Sequence, residues 1–144
     1  MSSFIDSTKV RAYGVDDIDA DHADIMDIAN RLFDGIQEYR ASETLGALLG
    51  GLVARCEQHF RREESYLVRV HDPQAEAHKA DHDVLRRRLE AIRAAFAEQP
   101  AASDSLLALA VLRDYLLQHI KTFDAALAAR IIRAMPGSDV GNQS

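Results

Sequence analysis

His78 and His82 frame the segment His-Lys-Ala-Asp-His, two imidazoles four residues apart. On an α-helix that spacing puts both rings on one face, one turn apart, where they can close on a cation from the same side. A pair of this kind arises easily by chance, so its meaning depends on which other donors can reach the same place. Three more histidines, His22, His59 and His119, and two acids, Glu63 and Asp124, fall on otherwise apolar helical stripes. A lone histidine there is usually a hydrogen-bonded core residue, but Glu is almost never fully buried unless it is paired or bound to a cation. Imidazole and carboxylate together are the donor set of a transition-metal site.

The chain that must position these groups has 144 residues, 47% of them hydrophobic and 28% charged, with three Pro and seven Gly. This is a globular, helix-rich composition of single-domain size, and residues 1–144 are read as one domain. Nine aromatics and no Trp argue against a β-sandwich. The net charge is −6, and the one cationic run, Arg86-Arg87-Arg88, is embedded in a mixed-charge helix. A nucleic-acid backbone would be repelled rather than gripped. No apolar run approaches the ~18 residues of a membrane span, and Met-Ser-Ser-Phe-Ile-Asp-Ser lacks the apolar core of a signal peptide. With Cys56 as its single cysteine, the chain suits a reducing compartment and is expected in the cytoplasm, with neither membrane nor nucleic acid as partner.

Residues 1–17 show no sustained period and are read as an irregular arm, its end at Asp16-Asp17-Ile18-Asp19 capping the first helix. That helix carries its stripe on Ile18, His22, Ile25, Met26, Ala29, Leu32, Phe33 and Ile36. Ala41-Ser42 caps a second, with Leu45, Leu48, Leu49, Leu52, Cys56, His59, Phe60, Glu63 and Leu67 inside. Gly50-Gly51 within it predicts close helix packing or a slight bend. His71-Asp72-Pro73 is a turn, with His71 facing solvent, Asp72 as cap and Pro73 at the first helical position. The third helix presents His78, His82, Leu85, Leu89, Ile92 and Phe96. After the break at Pro100, with Ser103 as cap, the fourth presents Leu106, Leu109, Leu112, Leu116, His119, Ile120, Phe123, Asp124, Leu127 and Ile131. Met135-Pro136-Gly137 ends it, and residues 138–144 read as a polar tail. Short connections make this an all-α protein, an antiparallel up-down-up-down four-helix bundle.

In such a bundle the start of the first helix, the end of the second, the start of the third and the end of the fourth share one end. At about 1.5 Å per residue, all seven donors fall ~7–15 Å from it. Five imidazoles and two carboxylates meeting at one inward depth are too many for one ion and suit two. Nitrogen and oxygen donors at high coordination number favour iron or manganese over zinc, and two irons are expected. One spacing is awkward: His119 and Asp124, five residues apart, would point about 140° apart on a regular helix. A local π-type widening between Leu116 and Asp124 is therefore predicted.

The segments Ile18-Asp19-Ala20-Asp21-His22, His59-Phe60-Arg61-Arg62-Glu63-Glu64, His78-x-x-x-His82 and His119-Ile120-Lys121-Thr122-Phe123-Asp124, in this order, resemble the hemerythrin family over nearly the whole chain. The resemblance implies one iron held by His78, His82 and His119 and another by His22 and His59. Glu63 and Asp124 would bridge them together with an oxo or hydroxo group. It also implies a free position on the two-histidine iron for O2, lined by Ile25, Phe60, Tyr115, Leu116 and Ile120. Tyr115 stands where the family usually has Trp; its hydroxyl either enters the pocket or lies at the bundle surface.

By this resemblance the expected function is reversible O2 binding for carriage, storage or delivery, by a monomer that is not an enzyme and whose partner is O2 itself or an oxygen-using enzyme. The competing classes are an O2 or redox sensor acting on a separate partner, and a di-iron enzyme handling peroxide, NO or iron. Cys56 is read as a small buried hydrophobe rather than a redox thiol. The arginine runs are read as solvated faces rather than docking patches.

Overall fold

A computed structural model describes residues 3–98 and 103–135. Helices α1 (Asp16–Gln37), α2 (Ser42–Arg69), α3 (Ala75–Glu98) and α4 (Ser103–His119) follow one another, and α4 continues through a π turn (Ile120–Asp124) into α5 (Ala125–Ala134). α4, the π turn and α5 form one continuous rod, so four rods pack in sequence, with α4 returning against α1. The result is the expected four-helix bundle. Among the described residues there is no strand, and no helix is long and apolar enough to cross a membrane.

The helix ends differ in detail from the sequence reading. Val15 occupies the N-cap of α1 without a side-chain cap, while Asp16, Asp17 and Asp19 sit in the first turn, where exposed N–H groups favour negative charge. Ser42 lies inside α2, again without a side-chain cap. α3 begins at Ala75 rather than Pro73, because the Asp72 carboxylate accepts from the Gln74 N–H at 2.8 Å and closes a turn first. α2 ends with His71 in the left-handed region (φ 52°), exposed as expected; there the Asp72 N–H reaches back to the Leu67 carbonyl at 3.0 Å. Ser103 is the first residue of α4. Pro100, Pro136, Gly137 and the tail 138–144 lie outside the described residues.

Gly50 and Gly51 do not mark a close approach: a Cβ at either would meet nothing within 4 Å. The arm is also more ordered than its lack of period suggests. Ile5 is buried, its N–H donates to Asn30 Oδ1 at 2.7 Å, and Phe4 stacks on Phe33 with ring centroids 4.3 Å apart. After one 3₁₀ turn at Ser7–Lys9, the arm is fixed again where the N–H groups of Tyr13 and Gly14 donate to the Asp19 carboxylate at 2.9 and 3.0 Å.

The apolar interior comes in two parts. A large cluster runs from Leu45, Leu52, Leu85, Leu109 and Leu112 to Phe60, Leu116 and Ile120. A smaller one at the other end joins Val15, Ile18, Tyr66, Leu67, Leu127, Ala128 and Ile131. The expected donors occupy the level between them.

Candidate metal centre

Each rod contributes to this polar layer: His22 from α1, His59 and Glu63 from α2, His78 and His82 from α3, His119 and Asp124 from the fourth rod. All seven are at most 2% exposed. Every imidazole turns its Nε2 inward. Glu63 Oε1 lies 3.2, 2.9 and 3.4 Å from Nε2 of His78, His82 and His119, whereas Oε2 lies 3.2 Å from His59. Asp124 repeats the division, with Oδ1 at 3.2 and 2.9 Å from His78 and His119 and Oδ2 at 2.8 and 3.5 Å from His22 and His59. Each carboxylate thus has one oxygen toward a three-imidazole group and the other toward a two-imidazole group.

Two sets, Glu63 with His78, His82 and His119, and Glu63 and Asp124 with His22 and His59, bring their donor atoms within 4.8 Å of one another, as a shared cation requires. The protein itself leaves this layer unsatisfied. His59 Nε2 and Glu63 Oε2, although 3.2 Å apart, are buried without a hydrogen-bond partner. Buried polar atoms are normally paired, and these belong to a donor set that suits a transition-metal ion. The residues present therefore fit metal cations, with Glu63 common to both donor sets.

The π turn makes the fourth rod's contribution possible. The Ala125 N–H reaches the Ile120 carbonyl, one residue further back than in an α-helix, and the Thr122 hydroxyl donates to the Gln118 carbonyl at 2.8 Å. The extra residue in the turn offsets the ~140° separation of a regular helix. Asp124 Oδ1 then comes within 2.9 Å of His119 Nε2.

Three further acids hold the imidazoles from behind, and the sequence reading did not assign them a role. Asp21 of α1 accepts from His59 Nδ1 at 3.0 Å, Glu64 of α2 from His82 Nδ1 at 2.7 Å, and Asp81 of α3 from His119 Nδ1 at 2.6 Å. Each helix braces an imidazole of the next, fixing the tautomer with Nε2 free to bind a cation and raising its basicity. A signal existed: each acid adjoins a layer residue in sequence, about 100° around the helix and so toward the neighbouring rod. Arg62 donates to Asp21 at 2.8 Å and Arg86 to Glu64 at 3.3 Å, extending two of these contacts to the surface.

Electrostatics within the layer are tightly linked. Burial disfavours charge on His59, but Glu63, Asp124 and Asp21 outweigh it and hold the ring well above the ordinary imidazole range. Burial opposes charge on His119 too, yet hydrogen bonds to Asp124 and Glu63 raise it to about 10. Burial pushes Glu63 up, and the surrounding imidazoles, His59 first, bring it well below the usual carboxylate range. The layer thus favours carboxylates that stay ionised. Cys56 is pushed up to about 12, chiefly by burial, which keeps it a thiol as expected of a core residue.

Of the expected pocket, Ile25, Phe60, Leu116 and Ile120 are buried in the large apolar cluster, and Phe60 stacks on His82 with centroids 4.5 Å apart. Phe123, not among the predicted lining residues, lies 5.1 Å from His78. Tyr115 is a correction. It is 41% exposed, with the Arg88 guanidinium 4.6 Å over its ring and donating to its hydroxyl at 3.2 Å. Its position on the outer flank of α4 faces α3's surface, so the hydroxyl is at the exterior and the ring does not enter the interior.

Neither the curated proteins nor the solved structures include one that matches this chain. A family model does: hemerythrin, described as the hemerythrin HHE cation binding domain, matches residues 13–131. That span runs from the residue that ties the arm to Asp19, through all seven donors, to the last buried residue of the small apolar cluster. The chain therefore belongs to the hemerythrin family of cation-binding domains.

Proposed function

We propose that the cation is iron, that two ions are held, and that the protein binds O2 reversibly for carriage, storage or delivery, as a monomer and without turning over a substrate. The carrying observation is the unequal sharing of donors: His78, His82 and His119 lie at Glu63 Oε1, two of them also at Asp124 Oδ1, whereas only His22 and His59 lie at the other oxygens of the two carboxylates. His78, His82 and His119 would hold one iron, and His22 and His59 the second, which then has the fewer protein donors and room for a small ligand. Held by these residues, two ferrous ions would supply the electrons that O2 takes up on binding.

What the chain contributes is containment. Ile25, Phe60, Leu116 and Ile120 offer no proton and exclude water, and the phenol of Tyr115 is turned away to Arg88. A site lined this way suits binding and release better than chemistry on a substrate, which needs a proton path. Asp21, Glu64 and Asp81 keep the imidazoles aimed as ligands.

The test is to load the protein with ferrous iron under anaerobic conditions, count iron per chain, admit O2 and then remove it while following the visible spectrum. Colour that appears and disappears with O2 over several cycles supports the proposal. A single conversion to a stable oxidised form that goes on consuming peroxide would instead make the protein an enzyme.

A further inference from the structure

Beyond the metal layer, a partly open pocket of about 310 Å³ lies between the N-terminal arm and the fourth rod, with the exposed Arg11 and Lys121 at its edge. Val10, Arg11 and Tyr13 form its arm side; Ile120, Lys121 and Ala125 are among the residues of its helical side. This is within the size range of small-molecule sites, which are apolar with a few placed polar groups. Two cations, Arg11 and Lys121, border an otherwise largely apolar space. Most arginines of this acidic chain are matched by a carboxylate, as in Arg31 with Asp27, Arg55 with Asp24 and Arg86 with Glu57. Among the described residues, neither Arg11 nor Lys121 has such a partner, although the chain carries a net charge of −6. The arm cannot simply lift away, since it is fixed on one side at Ile5 and on the other at Tyr13 and Gly14.

We infer that this cavity binds an amphipathic monocarboxylate, its hydrocarbon part against Val10, Tyr13, Ile120 and Ala125 and its head group held by Arg11 and Lys121. A neutral apolar ligand would make no use of the two cations at the edge, and a small inorganic anion would make none of the apolar wall. The site is also placed to act on the metal layer. Ile120 and Lys121 belong to the π turn whose last residue is the bridging Asp124. A ligand packed behind that turn holds it in place and slows the opening through which an ion leaves; this second role rests on the di-iron reading.

The experiment titrates octanoate into the iron-loaded full chain by calorimetry, with butanoate, hexanoate and octanol as comparisons. Affinity is expected to rise about fourfold per added methylene and to fall at least tenfold for octanol. The double variant R11Q/K121Q should lose at least tenfold in octanoate affinity with its helical circular dichroism unchanged, and A125M, which fills the cavity, should lose binding as well. Absence of octanoate binding to the native chain, or equal binding by these variants, overturns the site. In a second arm, iron loss to an excess of chelator should slow several-fold with saturating octanoate in the native chain but not in A125M. An unchanged rate overturns the effector role alone. A chain that takes up octanoate but no iron overturns the di-iron reading, and the effector role with it, while leaving the carboxylate site standing.

Discussion

Glu63 and Asp124 both touch the two imidazole groups through separate oxygens, so their amides should be far more damaging than their small change in shape suggests. On the di-iron reading proposed above, Glu63→Gln replaces one bridging oxygen by an amide nitrogen, which cannot act as a ligand of the same kind. Iron content is expected to fall from two per chain to one or none, with circular dichroism still helical; retention of two irons would contradict the bridging assignment. Tyr66 provides a test independent of metal. Its hydroxyl donates to Asp17 at 2.9 Å, and burial, then that contact, raise it from about 10 to about 12. A phenol whose folded value lies above its unfolded one stabilises the fold fully below the unfolded value and loses that contribution as pH rises from about 10 to about 12. The urea midpoint should decline through that window, and Tyr66→Phe should remove this part of the decline. The metal-facing residues were legible in the sequence because polar groups on apolar stripes need a reason to be there. Asp21, Glu64 and Asp81 were not, since each lies one residue off the apolar stripe, on a flank where the pattern marks no burial, and only Glu64 and Asp81 are in fact partly exposed. A surface position for the Tyr115 hydroxyl was among the readings, but the exclusion of its ring from the pocket was not, since it depends on Arg88, 27 residues earlier.

Among the elements, the fourth rod shows how one residue more or less decides whether a site exists. Five intervening steps from His119 to Asp124 work only because the helix widens there. Inserting an alanine after Thr122 should carry Asp124 about 100° further around the axis, out of the layer. The expected product is a helical protein with reduced thermal stability and at most one bound iron; one that kept both irons would show that the angular position of Asp124 is not what completes the site. This feature could be anticipated because a functional spacing conflicted with α-helical geometry. The caps could not: Val15 and Ala41 precede α1 and α2 without side-chain hydrogen bonds, and tertiary packing rather than local capping sets those ends. The empty surroundings of Gly50 and Gly51 make the same point, since a glycine pair alone does not say what lies beside it.

Across the whole molecule, seven inward-facing polar residues interrupt the apolar interior, so folding brings ionisable groups into a place where unpaired charge is costly. Cations should therefore be a major part of native stability. With free ferrous iron at a thousandfold excess over its dissociation constant, linkage gives about 4 kcal/mol, or roughly 10 °C in Tm for a chain this size. Anaerobic calorimetric scans with and without chelator check this, and a difference under 2 °C (about a fifth of the expectation) would mean that the layer is satisfied without metal. The bundle itself was readable from four amphipathic stripes and short connections, but the partition of its interior into two clusters was not, because periodicity reports which face is buried and not what it is buried against. That partition also sets a route. The smaller cluster, Val15, Ile18, Tyr66, Leu67, Leu127, Ala128 and Ile131, forms a hydrophobic plug over one side of the layer, made of helix ends that fray more readily than helix middles. Loading and loss of ions should pass through transient withdrawal of this plug, so that amide exchange in Leu127–Ile131 and the rate of metal uptake rise and fall together.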